Sequence, residues 1–151
     1  MPKDWQPRLI QLLAIPGLLL AYYLLLYHNG VLTISCDTGG WEDCGKVSGP
    51  GAPYSAIGPV PVALVGLLGY ALIFLLVWLK EWLVWVDDYL PELLVGATGL
   101  ALLFSLGLTA LELFVIHALC RYCLVSAAIV TIMFGLAISF LIREAANRSP
   151  T

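Results

Sequence analysis

Residues 60–79 read VPVALVGLLGYALIFLLVWL, 20 residues without a single charge. As a helix this stretch rises about 30 Å, the thickness of a bilayer's hydrocarbon core. Three more uncharged runs flank it: Leu9 to Tyr27 (19 residues), Leu93 to Leu111 (19) and Tyr122 to Ile142 (21). The whole chain of 151 residues is 61% hydrophobic and 11% charged, where a soluble domain carries about 25% charged residues. A net charge of -3 offers no basic face for phosphates. A water-soluble enzyme, a disordered chain and a nucleic-acid binder are thereby excluded, which leaves a small polytopic membrane protein.

We read one all-α transmembrane domain over residues 1–151, a four-helix bundle with spans at about 9–27, 60–79, 93–116 and 121–142 and an outer loop at about 28–59. Lys3 and Arg8 before an apolar run also resemble a signal peptide, but the run is too long and Tyr27-His28-Asn29-Gly30 is no small-residue cleavage site. Lipidation at Cys36 is disfavoured, because Thr33-Ile34-Ser35 is a poor lipidation box and three spans follow it. With the N-terminus in the cytoplasm, Lys3, Arg8, Lys80, Arg143 and Arg148 lie inside and only Lys46 and Arg121 outside, the distribution that the positive-inside rule favours. The connector from Lys80 to Glu92 then faces the cytoplasm, with Trp82, Trp85 and Tyr89 as interfacial anchors.

Within the spans, Ala97, Ala101, Ser105 and Thr109 recur every four residues, a stripe of small side chains that lets a neighbouring helix approach closely. Pro16 predicts a kink in the first span, and Pro59 and Pro61 suit the entry to the second.

The chemistry is carried by four cysteines, Cys36, Cys44, Cys120 and Cys123, which this topology places at one outer membrane face. An even number of cysteines facing an oxidising compartment reads first as two disulfides, with three connectivities. That gives the alternative reading, a non-catalytic membrane bundle with two structural disulfides. A bundle buried in lipid has less need of such staples, however, and Cys120-Arg121-Tyr122-Cys123 is a C-x-x-C at the start of a helix. There the unbonded N–H groups, the helix dipole and Arg121 all favour a thiolate. Cys36 and Cys44, separated by seven residues of polar, glycine-containing loop, form a second dithiol, so the two together make a relay that passes two electrons per exchange. A zinc site fits poorly, since a seven-residue gap is not a short knuckle, and no metal is expected. A transporter is discouraged by the short chain and the scarcity of ionisable residues in its spans.

The arrangement resembles the vitamin K epoxide reductase family in its short bacterial form. The resemblance rests on the loop pair Cys36 and Cys44, on Gly58-Pro59-Val60-Pro61-Val62-Ala63-Leu64-Val65-Gly66 opening the second span, and on Leu111-Glu112-Leu113-Phe114-Val115-Ile116-His117-Ala118-Leu119-Cys120-Arg121-Tyr122-Cys123-Leu124 at the third-to-fourth turn. The DsbB-type quinone-linked oxidases also have four spans and four cysteines, but carry their C-x-x-C in the first outer loop, the reverse of the order here.

The resemblance implies an electron path from a thioredoxin-fold partner to a membrane quinone. By position, Cys36 exchanges with the partner, Cys44 carries electrons to Cys120, and Cys123 faces the quinone. The acceptor would be a menaquinone, ubiquinone or vitamin K type, and the outcome disulfide formation in secreted proteins, with reduction of vitamin K quinone or epoxide as the related activity. Many bacterial members carry a fused thioredoxin-like domain. This sequence ends at Thr151, so a separate periplasmic or extracellular partner is expected, with the protein in the bacterial inner membrane and both termini cytoplasmic.

Several positions depart from the family. Its Ser or Thr about six residues after the second loop cysteine is Pro50 here, with Ser48 and Ser55 the nearest hydroxyls. An Asn and a Tyr that contact the quinone in the animal enzymes correspond to Val62 and Ala127. The quinone pocket is expected around Val62, Gly66, Glu112, His117 and Ala127. Glu112 and His117 are the two candidates for carrying protons, and both also read as interfacial residues exposed to water or bonded to loop backbone.

Overall fold

The computed structural model describes residues 5–31, 56–57, 59–117 and 120–149. It contains four long helices: α1 (Trp5–His28), α2 (Val62–Leu79), α3 (Val84–Leu111) and α4 (Arg121–Arg148). Each of the four, with α3 carried on to Val115, is long and apolar enough to cross a membrane, because a spanning segment must satisfy all its backbone hydrogen bonds internally. The protein is a four-helix membrane bundle. Cys36, Cys44, Lys3, Lys46, Ser48, Pro50 and Ser55 lie outside the described residues.

Three helices begin or end away from the expected boundaries, for one physical reason. Charges end a hydrophobic run without ending a helix. Thus α3 starts at Val84, ahead of position 93, and takes in Asp87, Asp88, Pro91 and Glu92. Likewise α4 continues past Ile142 through Arg143 and Glu144 to Arg148, and α1 begins at Trp5. The expected connector Lys80 to Glu92 shortens accordingly to the turn at residues 80–83. At the entry to α2 the difference runs the other way. Val60 and Pro61 form a short strand β2, antiparallel to β1 (Ala56–Ile57) in the register Ala56↔Pro61 and Ile57↔Val60. Pro61 then caps α2 in extended conformation, φ -64° and ψ 141°, so the helix starts at Val62.

In lipid both faces of a helix are apolar, so shape selects the packing face more than hydropathy does. The buried positions of α1 are Gln6, Pro7, Ile10, Ala14, Gly17, Ala21 and Leu24. Those of α4 are Val130, Met133, Ala137 and Phe140. From Pro7 onward in α1 and throughout in α4 the buried positions step by three and four residues, the seam spacing of a left-handed bundle. They meet Ile73 and Val77 of α2 and Leu90 and Leu94 of α3 in a continuous core. Many large apolar side chains, among them Leu12, Leu19, Leu103 and Ile132, stay exposed on the outside of the bundle, as a lipid-facing surface allows. Buried Thr98 donates to the Leu94 carbonyl at 2.6 Å, so its hydroxyl is satisfied within its own helix.

The helices pack most closely as α1 with α2 and α3 with α4, while α2 and α3 meet only lightly. At the end remote from Cys120, Arg8 is hydrogen-bonded to Glu81, and Arg148 binds the Glu92 carboxylate at 3.3 Å and the Asp88 carbonyl. These exposed contacts join α1 to the α2–α3 turn and α4 to the start of α3, and ion pairs of this kind contribute about 0–1 kcal/mol each.

One close approach is absolute. A Cβ on Gly17 would lie 2.3 Å from Cε1 of Tyr70, whose ring is buried against α1. Gly17→Ala should therefore destabilise the bundle by about 1–3 kcal/mol, read as a lower unfolding midpoint in detergent. In a Tyr70→Leu background the same alanine should cost little more than the leucine alone.

Candidate functional site

The site is built where α3 gives way to α4. At Glu112 the α-helix widens into a single π-helical turn, Glu112–Ile116, closed by the His117 N–H donating to the Glu112 carbonyl. Such turns insert an extra residue and re-aim the side chains around them. His117 ends the turn in left-handed conformation, φ 57° and ψ 34°, which histidine adopts more readily than most residues. The chain re-enters helix at Cys120, extended at φ -109° and ψ 117°, and the Leu124 N–H donates to the Cys120 carbonyl at 3.0 Å as the first bond of the new helix.

Cys120 is completely buried. It sits with Leu24 in a small apolar cluster against Tyr27, Ala63, Tyr122 and Cys123, so the last turns of α1 cover the start of α4. Tyr23 and Tyr122 close this contact edge to face, with ring centres 5.5 Å apart, a geometry aromatic pairs favour.

Glu112 is only 2% exposed. Its Oε2 accepts the Cys120 backbone N–H at 3.3 Å, and the Cys123 thiol is a second hydrogen-bond partner of the same carboxyl. The Cys123 thiol is also hydrogen-bonded to the Cys120 sulfur. That bond is the main reason the Cys120 thiol is lowered from its ordinary 9.0 to about 7; burial opposes the shift, the Cys123 and Tyr122 amides at the helix start add to it, and the Glu112 carboxylate works against it.

Beside this cluster lies a cavity of about 450 Å³, within the usual range for small-molecule sites. Its lining comes from all four helices. Leu24 and His28 line it from α1, Val62, Gly66, Gly69 and Tyr70 from α2, Phe104 and Leu108 from α3, and Cys123 and Ser126 from α4. Glu112 closes the cysteine end. Tyr70 is fixed across the cavity, its hydroxyl 2.7 Å from Ser126 Oγ and donating to the Ser126 carbonyl at 3.2 Å. The lining residues Leu72 and Leu100 are 53% and 71% exposed, so the cavity reaches the lipid-facing surface along the lightly packed seam between α2 and α3.

Of the residues singled out in the sequence, Val62, Gly66, Glu112 and Cys123 line this cavity. Cys120 adjoins it from the buried side. Exposed His117 and half-buried Ala127 are not in the lining. The loop cysteines Cys36 and Cys44 are outside the described residues. The stripe Ala97, Ala101, Ser105 and Thr109 lines the cavity along its full length, so small side chains expected to admit a neighbouring helix also leave room beside one. Tyr70, Ser126 and His28 were missed. Ser126 had a readable signal, standing three residues after Cys123 and hence on the same helical face. Tyr70 and His28 had none, since their place depends on how α1 and α2 dock.

Compared with known families, residues 8–138 match the model described as the vitamin K epoxide reductase family. A search of curated proteins returns no match.

The lowered Cys120 thiol gives a pH test. With Cys36 and Cys44 replaced by serine, the ultraviolet thiolate absorbance of the reduced protein should show a first titration step with its midpoint near pH 7, lost below it as Cys120 takes up its proton. Cys123→Ala removes the largest stabilising contact and should move that midpoint upward, toward 9.0.

Proposed function

The chain belongs to the vitamin K epoxide reductase family, whose members are oxidoreductases, and on that premise we propose that it is a quinone-linked thiol oxidoreductase. It would take electrons from a thioredoxin-fold protein and support disulfide formation. The observation that carries this reading is the contact of one cysteine of the C-x-x-C with an apolar cavity that reaches lipid, while the other is sealed away from it.

The residues present suit a quinone head group. Gly66 and Gly69 put no side chain into the cavity from α2, Phe104 and Leu108 line it from α3, and His28, Tyr70 and Ser126 supply polar atoms on the lining. A quinone supplies an acceptor for two electrons and two protons, and the chain's own groups do the rest. Cys120 and Cys123 hold their sulfurs in hydrogen-bonding contact, so that closing the disulfide between them needs little movement. Cys120, with its thiol lowered, is the ready nucleophile. Cys123 presents its sulfur to the cavity.

In this reading Cys36 exchanges with the partner and Cys44 passes the electrons to Cys120. The cysteine end of the bundle faces the periplasm or cell exterior and both termini face the cytoplasm of a bacterial inner membrane. A menaquinone, ubiquinone or vitamin K type quinone would serve as acceptor.

The test is quinone reduction by the purified protein in detergent, followed by ultraviolet absorbance with a small dithiol as reductant. The wild type should turn over and Cys123→Ala should lose activity to background. Cys36→Ala should keep activity with the small dithiol and lose it with a reduced thioredoxin-fold protein. Quinone reduction through the Cys123 variant at the wild-type rate would overturn the assigned order.

A further inference from the structure

We propose that Glu112 is the proton carrier of the site: it holds the proton given up by Cys120 while the cysteines are reduced, and delivers it to a quinone oxygen as the disulfide closes. This deepens the quinone-linked reading and rests on it.

The argument begins with cost. A carboxyl that is 2% exposed inside a spanning segment is expensive to keep, and a simple helix cap would be served by a neutral glutamine. Glu112 touches both halves of the chemistry. One of its oxygens accepts the Cys120 amide at 3.3 Å, its carboxyl is bonded to the Cys123 thiol, and it lines the cavity that Cys123 lines. The single Cys123 proton therefore stands between two acceptors, the Cys120 sulfur and the Glu112 carboxyl.

Two negative charges at this buried point repel one another, as the effect of Glu112 on Cys120 shows. A negative charge on one therefore disfavours a negative charge on the other, and a proton leaving Cys120 is drawn toward Glu112. Among the described residues, Cys120 at the cap of α4 and Cys123 within it contact Glu112, and the other titratable groups lining the same cavity are His28 from α1 and Tyr70 from α2. Among the described residues, no lysine or arginine lines the cavity to take the carboxyl's place.

The balance closes on these groups. The reduced site holds a Cys120 thiolate, a Cys123 thiol and a neutral Glu112. When the bond forms between the two sulfurs, two electrons leave them for the quinone. The Cys123 proton and the Glu112 proton go to its two oxygens. The site is left as a disulfide and a Glu112 carboxylate, with one negative charge before and after. The next dithiol restores both protons together with two electrons.

Two measurements on the full chain test this. In reduced-minus-oxidised infrared difference spectra, driven by a small dithiol without quinone, the wild type should gain the C=O stretch of a neutral carboxyl on reduction, and Glu112→Gln should not. For Glu112→Gln, which keeps an oxygen for the Cys120 amide, quinone turnover should fall about 100-fold. The thiolate absorbance of Cys120 at pH 7 should meanwhile be at least that of the wild type, because the opposing charge is gone. Glu112→Asp should recover part of the turnover.

A structural role for Glu112 would lower the thiolate absorbance and turnover together, and a purely electrostatic one would raise both; either result overturns the proposal. So does an infrared band absent from the wild type or unchanged in Glu112→Gln. A wild type that reduces no quinone, with the band present, sinks the quinone reading and the delivery step with it. Full turnover in Glu112→Gln sinks the proton role alone.

Discussion

A helix that begins at the edge of a membrane has to find partners for its first N–H groups without water, and this constraint organises the cysteine end of the bundle. The usual remedy, a serine or aspartate as the capping residue, is absent at α4. Cys120 stands there instead, and its amide is answered from another helix by Glu112. That answer requires α3 to end with Glu112 facing inward. The π turn at Glu112–Ile116 and the left-handed His117 provide the path by which the chain leaves α3 and returns. The same amides that need a partner also favour a thiolate, so one local deficit fixes the turn and tunes a sulfur.

The rest of the bundle divides between filling space and leaving it. The core is dense where Ile10, Ala14, Ile73, Val77, Leu90, Leu94 and Met133 meet. Nearer the cysteines, the facing sides of α2 and α3 carry glycine, alanine, serine and threonine. Tyr70 spans the gap, seated on Gly17 and held by Ser126, and keeps α1, α2 and α4 in fixed relation while the seam between α2 and α3 stays loose.

Much of this was legible in the sequence, because lipid imposes a length and a composition that four runs meet openly. The C-x-x-C and the placement of Glu112 near it could be read from spacing alone. The helix ends could not, since charged residues such as Asp87 and Arg143 stop a hydrophobic pattern while continuing a helix. Nor could the cavity. Ala97, Ala101, Ser105 and Thr109 have the same periodicity whether they touch a helix or border a void, and only the docking of α1 and α2 decides between the two. His117 shows the converse: proximity in sequence to Cys120 suggested a role, but its side chain is exposed and off the lining.

The mouth between α2 and α3, edged by Leu72 and Leu100, opens sideways into lipid, away from the aqueous phase. Any ligand entering there is drawn from a two-dimensional reservoir, so occupancy follows its mole fraction in the bilayer or micelle. Diluting such a sample with buffer leaves saturation unchanged, whereas adding lipid or detergent at constant total ligand empties the site. For this protein, affinity is a property of the surrounding lipid as much as of the cavity wall.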